Sequence, residues 1–206
     1  IQIISPIAES LDYIHKRGLI HRDIKTSNII ITNDYRPVLT DFGIARAISG
    51  SKLSQTGSVL GTPEYMSPEQ ADGIGAEPRS DLYSLGVVLY ECLTGTVPFT
   101  GDNPVATIYK IINAPPPPLS TFNGSMPEWI QTIVEKSLAK HPQNRFLTGK
   151  EFSKSLQERK KVNVHDNQTG SPRTQKLDSK ELHLTLNKKN KSWKKSTGKR
   201  VYGNQN

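Results

Sequence analysis

The segment Asp81–Thr94, reading DLYSLGVVLYECLT, is apolar on nearly every face. A helix of that character has no side to offer water, so other elements must surround it. Gly95 supplies its stop, and Asp81 at its start suits both an N-cap and the positive end of the helix dipole. The rest of the chain has to provide the cover. Ile4, Ile7, Leu11 and Ile14 recur at three- and four-residue steps ahead of Gly18, which predicts an amphipathic helix beginning at or before Ile1. Val105–Ile112 predicts another, Trp129, Ile130, Ile133, Val134 and Leu138 a third, and Phe146–Leu156 a short last one. The β-branched runs are brief: Leu19-Ile20, Ile29–Ile31, and Val38–Thr40, with a turn signal at Asn33-Asp34 between the last two. Pro115–Pro118 enforces an extended linker on the surface. The expectation is an α+β chain, mainly helical, with one short β-hairpin and no internal repeat.

That domain does not use the whole chain. Of 27 Lys and Arg, 14 fall in residues 1–156, as do 15 of the 19 Asp and Glu. Residues 1–156 therefore carry a net −1 and residues 157–206 a net +9. The +8 of the whole, which read as one number suggests a nucleic-acid binder, belongs to an appendage. The apolar pattern thins after about Gln157, so the division expected is a folded part over 1–156 and a basic, disordered tail over 157–206. In that tail Lys188, Lys189, Lys191, Lys194 and Lys195 surround Trp193. Contact with acidic lipid or nucleic acid is one reading and a solvated charge run the plainer one, so no nucleic-acid partner is favoured. A single cysteine, Cys92, excludes an intrachain disulfide framework and suits a reducing compartment; its place in the apolar helix reads as an inert core thiol. No apolar run reaches the ~18 residues of a membrane helix. His15 and His141 have no metal-ligand spacing around them.

The chemistry concentrates upstream. His21-Arg22-Asp23-Ile24-Lys25-Thr26-Ser27-Asn28 is followed thirteen residues later by Asp41-Phe42-Gly43, then by Gly61-Thr62-Pro63 and Ser67-Pro68-Glu69. Each short motif alone is weak, and two solvated loop carboxylates beside turn residues would be the bland reading of Asp23 and Asp41. In this order and spacing, ahead of the Asp81 helix, the set is specific. Phosphoryl transfer needs an acceptor hydroxyl held in line and hard cations to neutralise a polyphosphate. Asp23 is the candidate base for that hydroxyl. Asn28 and Asp41 offer the oxygens that Mg²⁺ takes. Lys25, two residues beyond the base, can set a cation against the transferring group.

Over residues 1–156 the chain resembles the large C-terminal lobe of eukaryotic-type serine/threonine protein kinases. The wording of GTPEYMSPEQ is similar to the bacterial branch. The resemblance implies a kinase-like fold and the roles just given for Asp23, Lys25, Asn28 and Asp41, with ATP and Mg²⁺ (or Mn²⁺) as cofactors. It implies further that Arg22 holds a phosphate on the activation loop, that Thr62 bonds the catalytic Asp and Lys, and that Glu69 and Arg145 form a buried ion pair. Asp81, by the same resemblance, caps the backbone of the catalytic loop. Residues 44–63, rich in Ser, Thr and Gly, read as a long functional loop, with Ser54 and Thr56 the preferred phosphate acceptors and Ser49, Ser51 and Ser58 their competitors. The family commonly has Ala-Pro-Glu where this chain has Ser67-Pro68-Glu69, which keeps the carboxylate. The partners implied are proteins with Ser/Thr acceptors, and self-association for trans-autophosphorylation.

The same family places a Gly-rich loop and a strand lysine in a smaller lobe upstream of the catalytic segment. Only 22 residues precede Asp23, and none forms either feature. With Ile1 in place of an initiator Met, the expectation is a fragment lacking the small lobe and inactive by itself, its kinase portion cytoplasmic. The parent would reach a membrane only through a segment not in this sequence. The alternative is a non-catalytic kinase-like docking module with a basic tail.

Overall fold

The computed structural model describes residues 1–41, 63–122 and 124–159, all within one structural unit, Ile1–Asn167. Their order is α1 (Ile4–His15), β1 (Ile29–Ile31), β2 (Pro37–Leu39), α2 (Pro68–Ala71), α3 (Pro78–Thr94), α4 (Pro104–Asn113), α5 (Glu128–Ser137) and α6 (Gly149–Glu158). Single 3-10 turns lie at Thr26–Asn28, Pro63–Tyr65, Leu119–Thr121 and Pro142–Asn144. All of the loop expected over 44–63 except Pro63 falls outside the described residues, as does the chain from residue 160.

Helix α3 is the axis of the domain. Every residue from Ser80 to Tyr90 is buried, under α1, α5 and the turns at 63–65 and 119–121. The crossing with α5 is close enough that a β-carbon on Gly86 would run into the Ser137 side chain. The helix begins at Pro78, three residues before the expected start, because Pro78 fits the first helical position and Glu77 and Ser80 cap each other. Asp81 is therefore one turn inside the helix and is not its N-cap. Gly95, at φ 78°, provides the left-handed stop. Burial ends before the helix does. Cys92 is exposed, which corrects its reading as a core thiol: the last turn of α3 has left the packed layer.

Helix α1 turns Ile4, Ile7, Ala8 and Leu11 into the core. It starts at Ile4, inside the chain and not at or before Ile1. Its cover is α6, which buries Phe152 and Leu156. The two helices meet at Gly149, where an added β-carbon would collide with the Ala8 carbonyl oxygen and stand 3.0 Å from Asp12 N. Lys150 N–H donates to Asp12 Oδ1 (3.3 Å) and Ser153 Oγ to Glu9 Oε1 (2.7 Å), so the first and last described helices are also joined by polar bonds. Thr148 caps α6 by accepting from Glu151 N–H (3.1 Å). Phe146, expected inside this helix, precedes it and stacks on Phe152 at 4.6 Å between centroids.

The hairpin pairs Ile29 with Leu39, Ile30 with Val38 and Ile31 with Pro37, antiparallel. Leu19-Ile20 finds no partner strand and leads irregularly into the segment below. The Lys140 ammonium lies 4.0 Å from the Phe99 ring centroid and donates to the Ile111 carbonyl oxygen (2.5 Å) in the last turn of α4. No helix among the described residues is long and apolar enough to cross a membrane.

Candidate active site

The segment His21–Asn28 has no regular structure until its final turn, so its shape must come from what holds it. The main holder is Asp81, 1% exposed. Its Oδ2 accepts from His21 N–H (2.8 Å) and bonds His15 Nε2 (2.7 Å), and its Oδ1 accepts from Arg22 N–H (2.8 Å). A buried carboxylate is tolerable only when its oxygens are bonded in this way. The second amide belongs to a residue in the left-handed region, Arg22 at φ 69°. A non-glycine residue there costs about 1–3 kcal/mol, which the fixed Asp81 acceptor offsets.

His21 is fully buried and carries the fold of the loop inward. Its Nε2 bonds the Thr40 carbonyl oxygen (3.0 Å), and its Nδ1 accepts from Asp23 N–H (3.4 Å). A carbonyl can only accept, so the proton sits on Nε2 and Nδ1 presents its lone pair. Burial holds this imidazole below its ordinary value despite the nearby Asp81 carboxylate.

Two of the expected site residues, Lys25 and Asn28, converge on the carboxylate of a third, Asp23. Lys25 Nζ lies 2.9 Å from Asp23 Oδ2. Asn28 Nδ2 donates to the same oxygen (3.1 Å) and to the Asp23 carbonyl oxygen (2.8 Å). Both partners are acceptors, so they fix the orientation of the Asn28 amide and leave its Oδ1 as the remaining acceptor. The Asn28 carbonyl oxygen in turn accepts from Thr40 N–H (2.9 Å). Thr40 thus joins both His21 and Asn28, and Asp41 follows it directly, exposed and at φ 56°. Thr62, Ser54 and Thr56 lie outside the described residues.

No group of three His, Cys, Asp or Glu able to hold a metal occurs among the described residues. The pair Asn28 Oδ1 and Asp41 carboxylate offers hard oxygens only. That fits Mg²⁺, which keeps much of its water and takes few protein ligands beside phosphate.

Glu69 and Arg145 stand apart from this centre as a bidentate pair, Nη1–Oε1 2.8 Å and Nη2–Oε2 2.7 Å. Arg145 also donates to the carbonyl oxygens of Ala139 (2.8 Å) and Lys140 (2.9 Å), and Ser80 Oγ donates to Glu69 Oε1 (2.5 Å). Burial pushes the Glu69 carboxyl up, but the guanidinium and the Ser80 hydroxyl outweigh it and hold the group below the ordinary value. Removing one partner of such a pair costs about 3–5 kcal/mol, because the other is left buried and charged.

Four residues of this region escaped sequence reasoning. His15, one turn beyond Leu11, continues the inward face of α1, and that position was its signal. Glu91 is the one charge between Asp81 and Gly95, an equally legible anomaly in an apolar helix. Tyr65 and Thr26 gave no signal. Tyr65 Oη donates to Glu91 Oε2 (2.6 Å) and lies 3.0 Å from Thr26 Oγ1.

Comparison with known proteins follows the same stretch. Residues 1–157 match the protein kinase domain family. The chain is 44% identical over 168 residues to the serine/threonine-protein kinase PknB of Mycobacterium tuberculosis, covering 81% of this chain and 26% of that protein. It is 43% identical over 155 residues to the probable serine/threonine-protein kinase CPE1738 of Clostridium perfringens, covering 75% and 23%. Against the probable serine/threonine-protein kinase PknB of Bifidobacterium longum it is 44% identical over 157 residues, covering 75% and 23%. The chain spans about a quarter of the length of the curated relatives it matches.

Proposed function

The chain belongs to the protein kinase family, in its bacterial serine/threonine branch, and from that we propose that residues 1–156 carry the phosphoryl-transfer centre of a kinase acting on Ser and Thr hydroxyls of proteins. The observation that carries this reading is the convergence of Lys25 and Asn28 on Asp23 within a segment suspended from Asp81.

Asp23 is the base. Its carboxylate takes the proton of the acceptor hydroxyl while that oxygen bonds to the γ-phosphorus of ATP and the bond to the β–γ bridging oxygen breaks, releasing ADP. Asn28 orients the carboxylate through its Nδ2, and the His21 lone pair holds the Asp23 amide. Lys25 balances the Asp23 charge before transfer and stands beside the incoming phosphoryl group during it. Asn28 Oδ1 and the Asp41 carboxylate would hold Mg²⁺, which when bound neutralises the polyphosphate. Arg22 holds the activating phosphate that Ser54 and Thr56 accept, Thr62 bonds Asp23 and Lys25, and Glu69, Arg145 and Asp81 support the scaffold. The chain after Arg159 is a basic tail in composition. ATP use and a lone cysteine suit the cytoplasm.

The 206 residues include no Gly-rich loop or strand lysine upstream of Asp23. We therefore expect this stretch alone to transfer nothing, and the test is made on the full-length protein. Transfer of labelled γ-phosphate from ATP to protein Ser/Thr is measured for the unaltered protein and for Asp23→Asn. The expected loss is about 10²–10⁴-fold, the scale of general-base catalysis, with the circular dichroism spectrum unchanged. Undiminished transfer by Asp23→Asn overturns the assignment.

A further inference from the structure

The segment containing the catalytic residues is fixed at two heights on α3, and only the first of these is a direct contact. Asp81 holds residues 21 and 22. Ten residues further along α3, about 15 Å at 1.5 Å per residue, Glu91 reaches the other end of the segment through Tyr65. The direction of each bond follows from proton counting. A phenol has one proton and the Glu91 carboxylate can only accept it, so the Thr26 hydroxyl must donate to Tyr65 Oη. Tyr65 is itself anchored, because Ser84 Oγ on α3 donates to its carbonyl oxygen (2.7 Å). Thr26 follows Lys25 directly and opens the turn that ends at Asn28.

We propose that Tyr65 is a positioning residue: its hydroxyl, relayed between Glu91 and Thr26, fixes the turn that aims Lys25 and Asn28 at Asp23. This rests on the kinase reading above. Burial, reinforced by the Glu91 carboxylate, pushes the Tyr65 hydroxyl up to about 12, so the relay keeps its proton at every working pH. Tyr65 lies on the 3-10 turn Pro63–Tyr65, so the relay also ties that turn to the one at Thr26–Asn28.

The test reads the turn itself. The Asn28 amide donates to the Lys25 carbonyl oxygen (3.1 Å) and closes the turn, while the His21 amide, bonded to Asp81, serves as internal reference. In the full chain, Tyr65→Phe keeps the ring and deletes the relay. Hydrogen exchange at Asn28 should quicken about five- to tenfold, the effect of losing one net hydrogen bond, with His21 unchanged. Glu91→Ala added to Tyr65→Phe should change nothing more, and Glu91→Gln, which still accepts, should exchange like the unaltered chain. Unchanged exchange at Asn28, or equal quickening at Asn28 and His21, overturns the proposal. Exchange needs neither nucleotide nor substrate, so its outcome does not depend on whether the full-length protein is a kinase. In that protein Tyr65→Phe should lower kcat about tenfold with KM for the protein substrate unchanged, and a change in KM alone overturns the positioning role.

Discussion

Asp81 spends its carboxylate on groups from other parts of the chain, two amides of the His21–Asn28 segment and an imidazole of α1. That is why the residue one turn inside a buried helix can be charged at all. The neighbouring His21 gives this scale its pH dependence. Its folded value lies below the ordinary 6.5 because burial penalises the imidazolium, so the unfolded chain takes up the proton first. The stability it contributes is complete above about 6.5 and is lost as pH falls through the folded value. Protonation would also put an N–H on Nδ1, facing the Asp23 amide. We expect the His21 ring, followed by NMR titration, to change state below 6.5, and urea midpoints to decline over the same interval; a ring titrating above 6.5 would mean that the Asp81 carboxylate outweighs burial. The grouping of Lys25 and Asn28 around Asp23 was legible in the sequence, since all three fall within one six-residue stretch of a recognisable motif. Tyr65 and Thr26 were not, since a hydroxyl relay depends on which side chains a fold brings within 3 Å, and no local pattern encodes that.

At the scale of elements, α1, α4, α5 and α6 were legible from periodicity and α3 from its all-round apolarity, while the one-turn α2 was not, and helix ends were less legible than helices. Pro78 and the Glu77–Ser80 capping pair set the start of α3, whereas Asp81 drew attention by its charge. Cys92 looked internal because composition says nothing about where a helix leaves its layer. The α1–α6 crossing makes the sharpest prediction here. Gly149 faces backbone atoms of Ala8 and Asp12, which cannot move aside as a side chain can. Gly149→Ala should cost about 1–3 kcal/mol, as overpacking does. Gly124→Ala, where a β-carbon meets nothing within 4 Å, should stay within about 0.5 kcal/mol. Urea unfolding of both variants reads the difference, and equal midpoints would mean that the two helices can part at no cost.

For the whole molecule, the two-part division rests on charge and apolar pattern, and the last helix extends it slightly, through Glu158. A chain ended after Arg159 should unfold in one transition at the same midpoint as the 206-residue chain. A chain ended at Thr148, which strips the cover from α1, should lose that transition. Calorimetry separates these outcomes, and a lowered midpoint for the chain ended after Arg159 would assign residues 160–206 to the folded part. The α1–α6 pairing has a further consequence for how such a protein is made. Asp12 and its partner Lys150 are 138 residues apart in sequence. At 5–20 residues per second a ribosome needs on the order of ten seconds to add that stretch. For most of that interval Ile4, Ile7 and Leu11 have left the exit tunnel without the helix they lie against. The nascent chain therefore carries an apolar face without its α6 cover until nearly all of residues 1–159 have been synthesised.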